Sequence, residues 1–299
     1  MRGLSVRRVP AAAAVVGVLA TLLAGRVLDR WPPLGPDRWT RPNHAGDPVT
    51  LLEGPQVVIG STLGALAAGA PVAAVSALVA GGLGALDDLA GDPSSRGLHG
   101  HLGALAHGHV TTGAVKVVGL AVTGLVVGLT TGGRGGDRSP DRARDCTLER
   151  APGWDRGGAI QVLVDAGVVA GTANLVNLLD LRPGRALKAT LLLGTPLAAA
   201  GSAAAAAVVG ASLAAFPRDI AGRAMLGDTG ANALGAVLGA AAVERLPPPG
   251  RWVVLTGLVA LTLASERVSF TAVIDRTPVL RRIDGWGRPS APLPSSRHR

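Results

Sequence analysis

The chain has few charged residues and almost no aromatic ones. Of its 299 residues, 16% are charged and 48% are hydrophobic, and there are five Trp, two Phe and no Tyr. Soluble domains usually carry about 25% charged residues, so this deficit argues against an ordinary soluble protein. The single cysteine, Cys146, excludes an internal disulfide and any multi-cysteine metal site.

The hydrophobic residues form long uncharged blocks. The blocks are roughly 16 to 22 residues long, which as helices match a bilayer core of about 30 Å. Segment 191–217, for example, contains no charged residue, whereas a soluble helix of that length would have one polar side. We therefore predict an all-α protein, a polytopic transmembrane helix bundle of about nine spans.

The predicted helices form one integral membrane domain over residues 1–299. At Pro71 and near Gly201, a single kinked helix is the alternative to two helices. We expect a flexible polar loop at 132–156 and a basic tail at 274–299. The first apolar run is expected to be an uncleaved helix, although the basic residues before it resemble the start of a signal peptide. The predicted helices cover residues 9–29, 54–70, 72–90, 109–131, 157–178, 185–201, 202–216, 229–246 and 251–273.

The basic residues are concentrated in the connections between the apolar blocks. The chain has 29 Lys and Arg against 20 Asp and Glu, a net charge of +9. With an odd number of spans the termini lie on opposite sides, and the larger share of basic residues falls on one of them. The positive-inside rule then predicts a multi-pass cell-membrane protein with its N-terminus outside and its C-terminus cytoplasmic. Basic loops in such a protein favour membrane lipids and acidic substrates as partners, and no nucleic acid.

Carboxylates and amides stand at the ends of three predicted helices, and helix counting places these ends on one membrane face. A pair of Asp residues is costly within a membrane, and carboxylate oxygens suit Mg²⁺ with bound phosphates. Exposed N–H groups at a helix start favour anions. The residues are Asp87 and Asp88 after the third helix core, Asn174, Asn177 and Asp180 at the fifth, and Asp228 and Thr229 at the eighth.

Each of these groups alone also has a purely structural interpretation. The Asp pair could be a solvated helix end, the Asn residues could join helices by hydrogen bonds, and Asp228 could cap a helix. The convergence of all three groups on one face favours a functional site. A histidine group remains open between a metal site, a phosphate contact and a polar loop. It consists of His99, His101, His107 and His109.

The motifs around these residues, taken in order, resemble one enzyme superfamily. G-x-L-D-D ends at Asp88, N-x-x-N-x-x-D ends at Asp180, and M-x-G-D-T-G-A contains Asp228. R-x-N-x-x-G begins at Arg41, and T-x-x-x-K ends at Lys116. From about residue 40 to 240 the sequence resembles the polyprenyl-phosphate sugar-1-phosphate transferases. That superfamily includes phospho-N-acetylmuramoyl-pentapeptide transferase and the UDP-N-acetylglucosamine:undecaprenyl-phosphate transferases.

The resemblance implies an Mg²⁺-dependent transferase of cell-envelope glycan synthesis. Such an enzyme transfers a sugar-1-phosphate from a UDP-N-acetyl sugar to a polyprenyl phosphate at the cytoplasmic face and releases UMP. The resemblance implies that Asp87 and Asp88 are catalytic and that Asp228 binds the metal, and by analogy it suggests a homodimer. The implied substrate-binding and phosphate-binding residues are Arg41, Asn43, Lys116, Asn174, Asn177, Asp180 and Thr229.

The sequence departs from the superfamily pattern at two points. From Asp180 onwards the family usually reads D-G-x-D-G, whereas this chain has Leu181 in place of the first Gly and Pro183 in place of the second acid. The His-rich loop that the family commonly carries near the C-terminus is replaced by a stretch with Arg281 and Arg282, which could bind a diphosphate or anionic lipid heads. The alternative function is therefore a catalytically inactive relative, a membrane scaffold or lipid-phosphate binder in envelope assembly.

Overall fold

The computed structural model describes residues 2–43, 46–90, 112–132 and 156–289. Nearly all of their regular structure is α-helical, which confirms the predicted all-α class. A 3-10 turn (Pro36–Trp39) and two short strands, β1 (Thr40–Pro42) and β2 (Pro48–Thr50), lie between the first two helices. The helices are α1 (Arg2–Arg30), α2 (Glu53–Ala67), α3 (Pro71–Ala90), α4 (Thr112–Gly132), α5 (Arg156–Leu179), α6 (Arg185–Ala199), α7 (Ala203–Ile220), α8 (Gly227–Arg245), α9 (Pro248–Ser265), α10 (Phe270–Arg276) and α11 (Pro278–Gly285).

Three predicted features fall wholly or partly outside the described residues. They are the group of four histidines, residues 133–155 of the predicted polar loop and residues 290–299 of the predicted basic tail. Within the predicted basic tail, residues 278–285 form a helix, α11.

The two uncertain helix breaks are real. α2 and α3 are separate helices, and so are α6 and α7. A glycine with positive φ occupies each break, Gly69 at 69° and Gly201 at 91°, and a left-handed residue of this kind commonly ends a helix. Ser202 then starts α7, because its hydroxyl accepts a hydrogen bond from the N–H of Ala205.

The prediction of one continuous helix over 251–273 is wrong. The chain leaves helical geometry between Ser265 and Phe270, and the axes of α9 and α10 meet at 95°. Ser269 starts the new helix, since its hydroxyl accepts from the N–H of Ala272. The break contains neither Pro nor Gly, the residues that most often mark such a bend in a sequence.

Five of the described helices, α1, α3, α4, α5 and α7, are long and apolar enough to cross a membrane. The number is six if the bent pair α9–α10 is one span. α2 and α6 have only 15 residues each, and α8 carries charged residues at both ends. A helical protein that could span a membrane is therefore supported, and the number of about nine spans stays a prediction.

α8 is the central helix of the bundle. It packs against every helix from α2 to α7, and 14 of its 19 residues are buried. Because it is rich in Gly and Ala, neighbouring backbones can approach it closely. A Cβ at Gly84 of α3 would overlap the carbonyl of Asp228, and one at Gly54 of α2 would overlap the carbonyl of Leu226. These contacts bring the end of α3 and the start of α2 to the start of α8.

An antiparallel hairpin of β1 and β2 lies in the connection 30–53, for which the sequence predicts only a polar loop. Thr40 pairs with Thr50, and Arg41 pairs with Val49. The N–H of Met225 donates to the carbonyl of Thr50 at 2.9 Å. The hairpin is therefore fastened to the segment just before α8, and it carries Arg41 to the same place.

Replacing Gly84 by Ala should destabilise the protein, because the added methyl group overlaps the Asp228 carbonyl. We expect the free energy of unfolding to fall by about 1–3 kcal/mol, the usual cost of overpacking, with a lower melting temperature in detergent. Gly82→Ala is the matched control, since it lies on the same helix and has no atom within 4 Å of its Cβ position. Equal melting temperatures for the two variants would contradict the close approach of α3 and α8.

Candidate functional site

The end of α3 meets the start of α8 through the side chain of Asp88. Its carboxylate accepts hydrogen bonds from the backbone N–H groups of Asp228, at 3.0 Å, and Thr229, at 2.9 Å. It also accepts one from the Thr229 hydroxyl at 2.6 Å. N–H groups in the first turn of a helix have no partner within that helix and attract negative charge. Asp88 therefore fills the N-terminal anion position of α8 from a different helix.

Lys116, in the first turns of α4, joins two carboxylates from different helices. Its ammonium group donates to Asp87 at 2.8 Å and also contacts the carboxylate of Asp228. Asp87 accepts a second hydrogen bond from the Thr112 hydroxyl at 2.7 Å. The side chains of the three charged residues are only 16–24% exposed, so salt screens their attraction less than that of surface pairs.

Arg41 reaches this cluster from the hairpin. Its guanidinium donates to the carbonyl oxygen of Asp88 at 2.6 Å and to that of Thr40 at 2.8 Å. Asn43 lies two residues further on, where its side-chain oxygen accepts from the N–H of Asp47 at 2.9 Å. The R-x-N motif thus joins the hairpin to the last turn of α3.

Asp180 lines a small pocket together with Asn43, Asp219 and the turn that follows α5. Burial raises the pKa of the Asp180 carboxyl well above its usual range, and Asp219 raises it further, against the lowering effect of a hydrogen bond from the N–H of Gly227. A carboxyl group with a raised pKa can donate as well as accept hydrogen bonds near neutral pH. Gly227 begins α8, so this pocket and the Asp88 contact share one helix start.

Asn174 and Asn177 line a different cavity, a groove between α4, α5, α8 and α9. Lys116 also lines this groove, and Asn174 donates to the Thr262 hydroxyl at 3.2 Å. The sequence predicts that both Asn residues share a site with Asp180. The structure instead groups them with Lys116.

Asn232 faces the same groove from α8, one turn after Asp228. Its side chain is fully buried, and within the described part of the chain neither its oxygen nor its nitrogen has a hydrogen-bond partner. Leaving a buried amide unpaired costs about 1–3 kcal/mol. The groove therefore contains a polar position that its own walls do not satisfy.

The turn after Asp180 is held from two sides. The N–H of Gly184 donates to Asp219, and Gly184 adopts a positive φ of 74°. The guanidinium of Arg288, beyond α11, donates to the carbonyl of Pro183 at 2.9 Å. This turn contains the residues at which the sequence departs from the superfamily pattern.

A buried ion pair ties α11 to the same turn. Arg185 donates to the two carboxylate oxygens of Asp284 at 2.7 and 3.0 Å, and Arg288 donates to Asp284 at 2.9 Å. Burial alone would raise the pKa of Asp284, but the hydrogen bonds from the two arginines lower it below its usual value. Asp284 is therefore charged at neutral pH, and α11 is fixed to the start of α6.

Arg281 and Arg282, which the sequence assigns to phosphate binding, line neither cavity. Both lie on α11 and are exposed. The Thr229 hydroxyl, assigned to the same role, instead donates to Asp88. The structure thus brings Arg41, Asp87, Asp88, Lys116, Asp228 and Thr229 into one cluster and leaves the two arginines outside it.

Three buried polar residues near the site were not predicted from the sequence. Glu53, Asp219 and Asn232 are 1%, 2% and 0% exposed. Glu53 and Asp219 each stand alone at the end of an apolar block, so their sequence context resembles a solvated helix end. Both side chains are nevertheless buried, and within the described part of the chain neither carboxylate oxygen of Glu53 has a hydrogen-bond partner. The position of Asn232 could have been predicted, because a residue four positions after Asp228 lies on the same helix face.

The described residues offer only part of a metal site. No group of three or more His, Cys, Asp or Glu side chains among them could hold a metal ion. Asp87 and Asp228 do meet at Lys116, and Mg²⁺ is often bound through one or two carboxylates together with substrate phosphates and water. The oxygen donors therefore fit Mg²⁺ if a phosphate ligand supplies the rest.

Comparison with known proteins adds no assignment. No protein-family model matches the chain, and no curated protein matches it. Membership of the superfamily therefore stays a proposal, carried by the motifs and by the geometry of the cluster.

Asp88→Ala should loosen the first turn of α8, because it removes the acceptor of two backbone N–H groups. A capping carboxylate contributes about 0.5–2 kcal/mol, so we expect amide hydrogen exchange at Asp228 and Thr229 to accelerate by about 2- to 30-fold. Asp87→Ala is the control, since the Asp87 carboxylate contacts Lys116 and Thr112 instead. Equal acceleration in both variants would show that Asp88 does not cap α8.

Proposed function

We propose that this protein transfers a sugar-1-phosphate from a UDP-N-acetyl sugar to a polyprenyl phosphate and releases UMP. One observation carries the proposal: Lys116 joins Asp87 to Asp228 at the point where Asp88 holds the first turn of α8. Each of these residues belongs to a motif of the polyprenyl-phosphate sugar-1-phosphate transferases that the sequence resembles. The contacts join three motifs that are far apart in the chain.

The cluster has the charges that phosphate transfer needs. This reaction depends mainly on positioning and on neutralising phosphate charge. Lys116 supplies a partly buried positive charge for phosphate oxygens. Asp228 and Asp87 would hold Mg²⁺, which when bound would offset the charge of the transferred phosphate.

In the proposed reaction, an oxygen of the lipid phosphate attacks the β-phosphorus of the UDP-sugar. A new P–O bond forms to that phosphorus, and its bond to the oxygen shared with the α-phosphate breaks, so UMP leaves with that oxygen. Lys116 contacts the phosphate oxygens, and Asp87 orients Lys116. Asp88 is a positioning residue, because three donors of α8 already occupy its carboxylate.

Two cavities beside the cluster suit two substrates. The groove combines Lys116, Asn174 and Asn177 with apolar side chains of Val117 and Leu120, so it suits a phosphate on an apolar chain. The small pocket at Asp180 lies beside the hairpin and has the side chains of Asn43, Arg182 and Asp219 in its lining. We assign the nucleotide of the donor to the surface at the mouth of this pocket.

We also propose nine crossings, with the N-terminus outside and the C-terminus cytoplasmic. The hydrogen bonds of Asp88 join the end of α3 to the start of α8, and Asp180, just after α5, lies beside the same helix start. If every helix from α1 to α9 crosses, alternation places these three ends on one side. α2 and α6, with 15 residues each, are short for spans, a mismatch that local thinning of the bilayer accommodates at modest cost.

A catalytically inactive scaffold or lipid-phosphate binder is the second candidate. One observation favours it: the turn with Leu181 and Pro183 lacks the second acid of the family pattern and is closed by Asp219 and Arg288 instead. In that case the groove would still bind a lipid phosphate, but no UMP would be released.

Asp228→Asn should reduce transfer by at least about 100-fold, since it removes a carboxylate that Lys116 contacts and that would hold the metal. The measurement is UMP release by purified protein in detergent with polyprenyl phosphate, Mg²⁺ and a panel of UDP-N-acetyl sugars. Chelation of Mg²⁺ should abolish the release.

Lys116→Met should lower UMP release in the same assay by about 100- to 1,000-fold, the usual effect of losing one such charged donor.

Glu244→Gln is the matched control for the acidic variant. Glu244 lies at the opposite end of the same helix and is half-exposed, so its replacement should leave UMP release unchanged. No release from the folded wild-type protein with any donor, combined with binding of polyprenyl phosphate, would reject the transferase in favour of the inactive binder.

A further inference from the structure

α11 has an inverted pattern of burial. Its only buried residue is an acid, Asp284. Its large apolar residues are exposed, Val279 by 64%, Leu280 by 41% and Ile283 by 54%, and Trp286 just after it is exposed by 71%. Burying an aliphatic side chain is worth about 1.5–3 kcal/mol, so a helix on an aqueous surface gains by placing these residues inward. The exposed apolar residues of α11 therefore indicate an environment other than water.

The exposed apolar residues form one side of the helix. Val279, Leu280 and Ile283 occupy positions i, i+1 and i+4, which lie within one half of a helix. Asp284 points into the protein, where Arg185 holds it. Arg281 falls on the side opposite the apolar residues. The helix therefore has a fixed orientation that the protein itself imposes.

The direction of the chain places this helix at the end of a span. The axes of α9 and α10 meet at 95°, so if α9 crosses the membrane, α10 runs along its surface. α11 follows after a single residue, Thr277, and packs against α10. Ser265 and Phe270 thus mark the place where the chain leaves the bilayer core.

The polar residues of α11 fit an anionic surface. Arg281 and Arg282 are exposed and line neither cavity of the site. Arginine side chains can reach lipid phosphates while their stems cover apolar surface. Tryptophan, here Trp286, is favoured at the level of the headgroups. A helix with these features is typical of segments that lie in the plane of a membrane interface.

We infer that α11 lies in the interface of an anionic leaflet of the membrane that the protein spans, with Val279, Leu280 and Ile283 at the boundary of the acyl chains and Arg281 and Arg282 at the lipid phosphates. The inference rests on the proposed crossing of α9 but not on transferase activity. It gives the two arginines a lipid partner in place of the substrate.

The position of α11 is connected to the pocket at Asp180. Asp284 is bonded to Arg185 at the start of α6, and Arg288 is bonded to the carbonyl of Pro183, which lines that pocket. A helix fixed at the lipid surface would therefore brace the turn that closes the pocket. Where the superfamily carries a His-rich loop, this chain would then have the Arg185–Asp284 ion pair, on a helix that lies at the lipid surface.

The test measures depth in the membrane at single positions. Cys146 is replaced by Ser, and Val279→Cys, Ile283→Cys and Arg281→Cys are each spin-labelled in the full chain, in nanodiscs of phosphatidylcholine with phosphatidylglycerol. We expect labels at 279 and 283 to collide several-fold more with oxygen than with a water-soluble nickel chelate, relative to the label at 281. Position 281 is the comparison because it lies on the opposite side of the same helix, and Arg282 remains in that variant to hold the helix at the lipid phosphates.

Two results would overturn the inference. Equal access of the nickel chelate to all three labels would place α11 in water. Exclusion of both reagents from 279 and 283 would show that another protein surface, such as a second copy of the chain, covers this face. Neither result depends on UMP release, so the inference and the transferase proposal fail separately.

A second experiment tests whether Arg281 and Arg282 bind anionic lipid. In nanodiscs of phosphatidylcholine alone, or in Arg281→Gln/Arg282→Gln protein with phosphatidylglycerol, the label at 283 should become several-fold more accessible to the nickel chelate. If the double variant instead keeps its depth and shows only a raised KM for the UDP-sugar, the arginines bind the donor and the lipid assignment is wrong. Ile283→Ser should reduce the depth of α11 without changing its charge.

Discussion

The hydrogen bonds between the Asp88 carboxylate and the first turn of α8 are the interaction on which the site depends. They require the end of α3 to lie directly against a helix start, and Gly84 permits this because it has no side chain. Once the two helices are in contact, Asp87 and Asp228 lie close enough to share Lys116. One carboxylate thus determines the relative positions of the two others, and of the ammonium group between them.

The features that could be predicted from the sequence are those that depend on one segment of the chain alone. Uncharged blocks reveal the helices, and Gly69 and Gly201 interrupt them where the structure has breaks. Motifs reveal Asp88 and Asp228 because their residue types and spacing are unusual for an apolar helix. The bend after α9 could not be predicted, since its residues favour no turn and only packing against the rest of the chain fixes its angle. Glu53 and Asp219 were missed for a related reason, because their burial depends on helices that are distant in sequence.

The C-terminal part of the chain reverses the usual relation between charge and burial. In water, a helix hides its apolar side and exposes its acid. In α11 the acid is inside, neutralised by Arg185, and the apolar side is outside. Arg288 continues this network to the carbonyl of Pro183. The departure from the superfamily pattern therefore has a defined structural setting, a turn held by ion pairs rather than by an additional acid.

The sequence distance between Asp88 and its partners has a consequence for biosynthesis. Asp228 lies 140 positions after Asp88, and Lys116 lies between them. As the chain emerges from the ribosome, Asp87 can first pair with Lys116 on the next helix, whereas Asp88 must wait until α8 is made. Until then the Asp88 carboxylate at the end of α3 lacks its donors on α8, which favours its contact with water over the protein interior. The order of synthesis therefore leaves the Asp88 contact unmade until the central helix α8 has been synthesised.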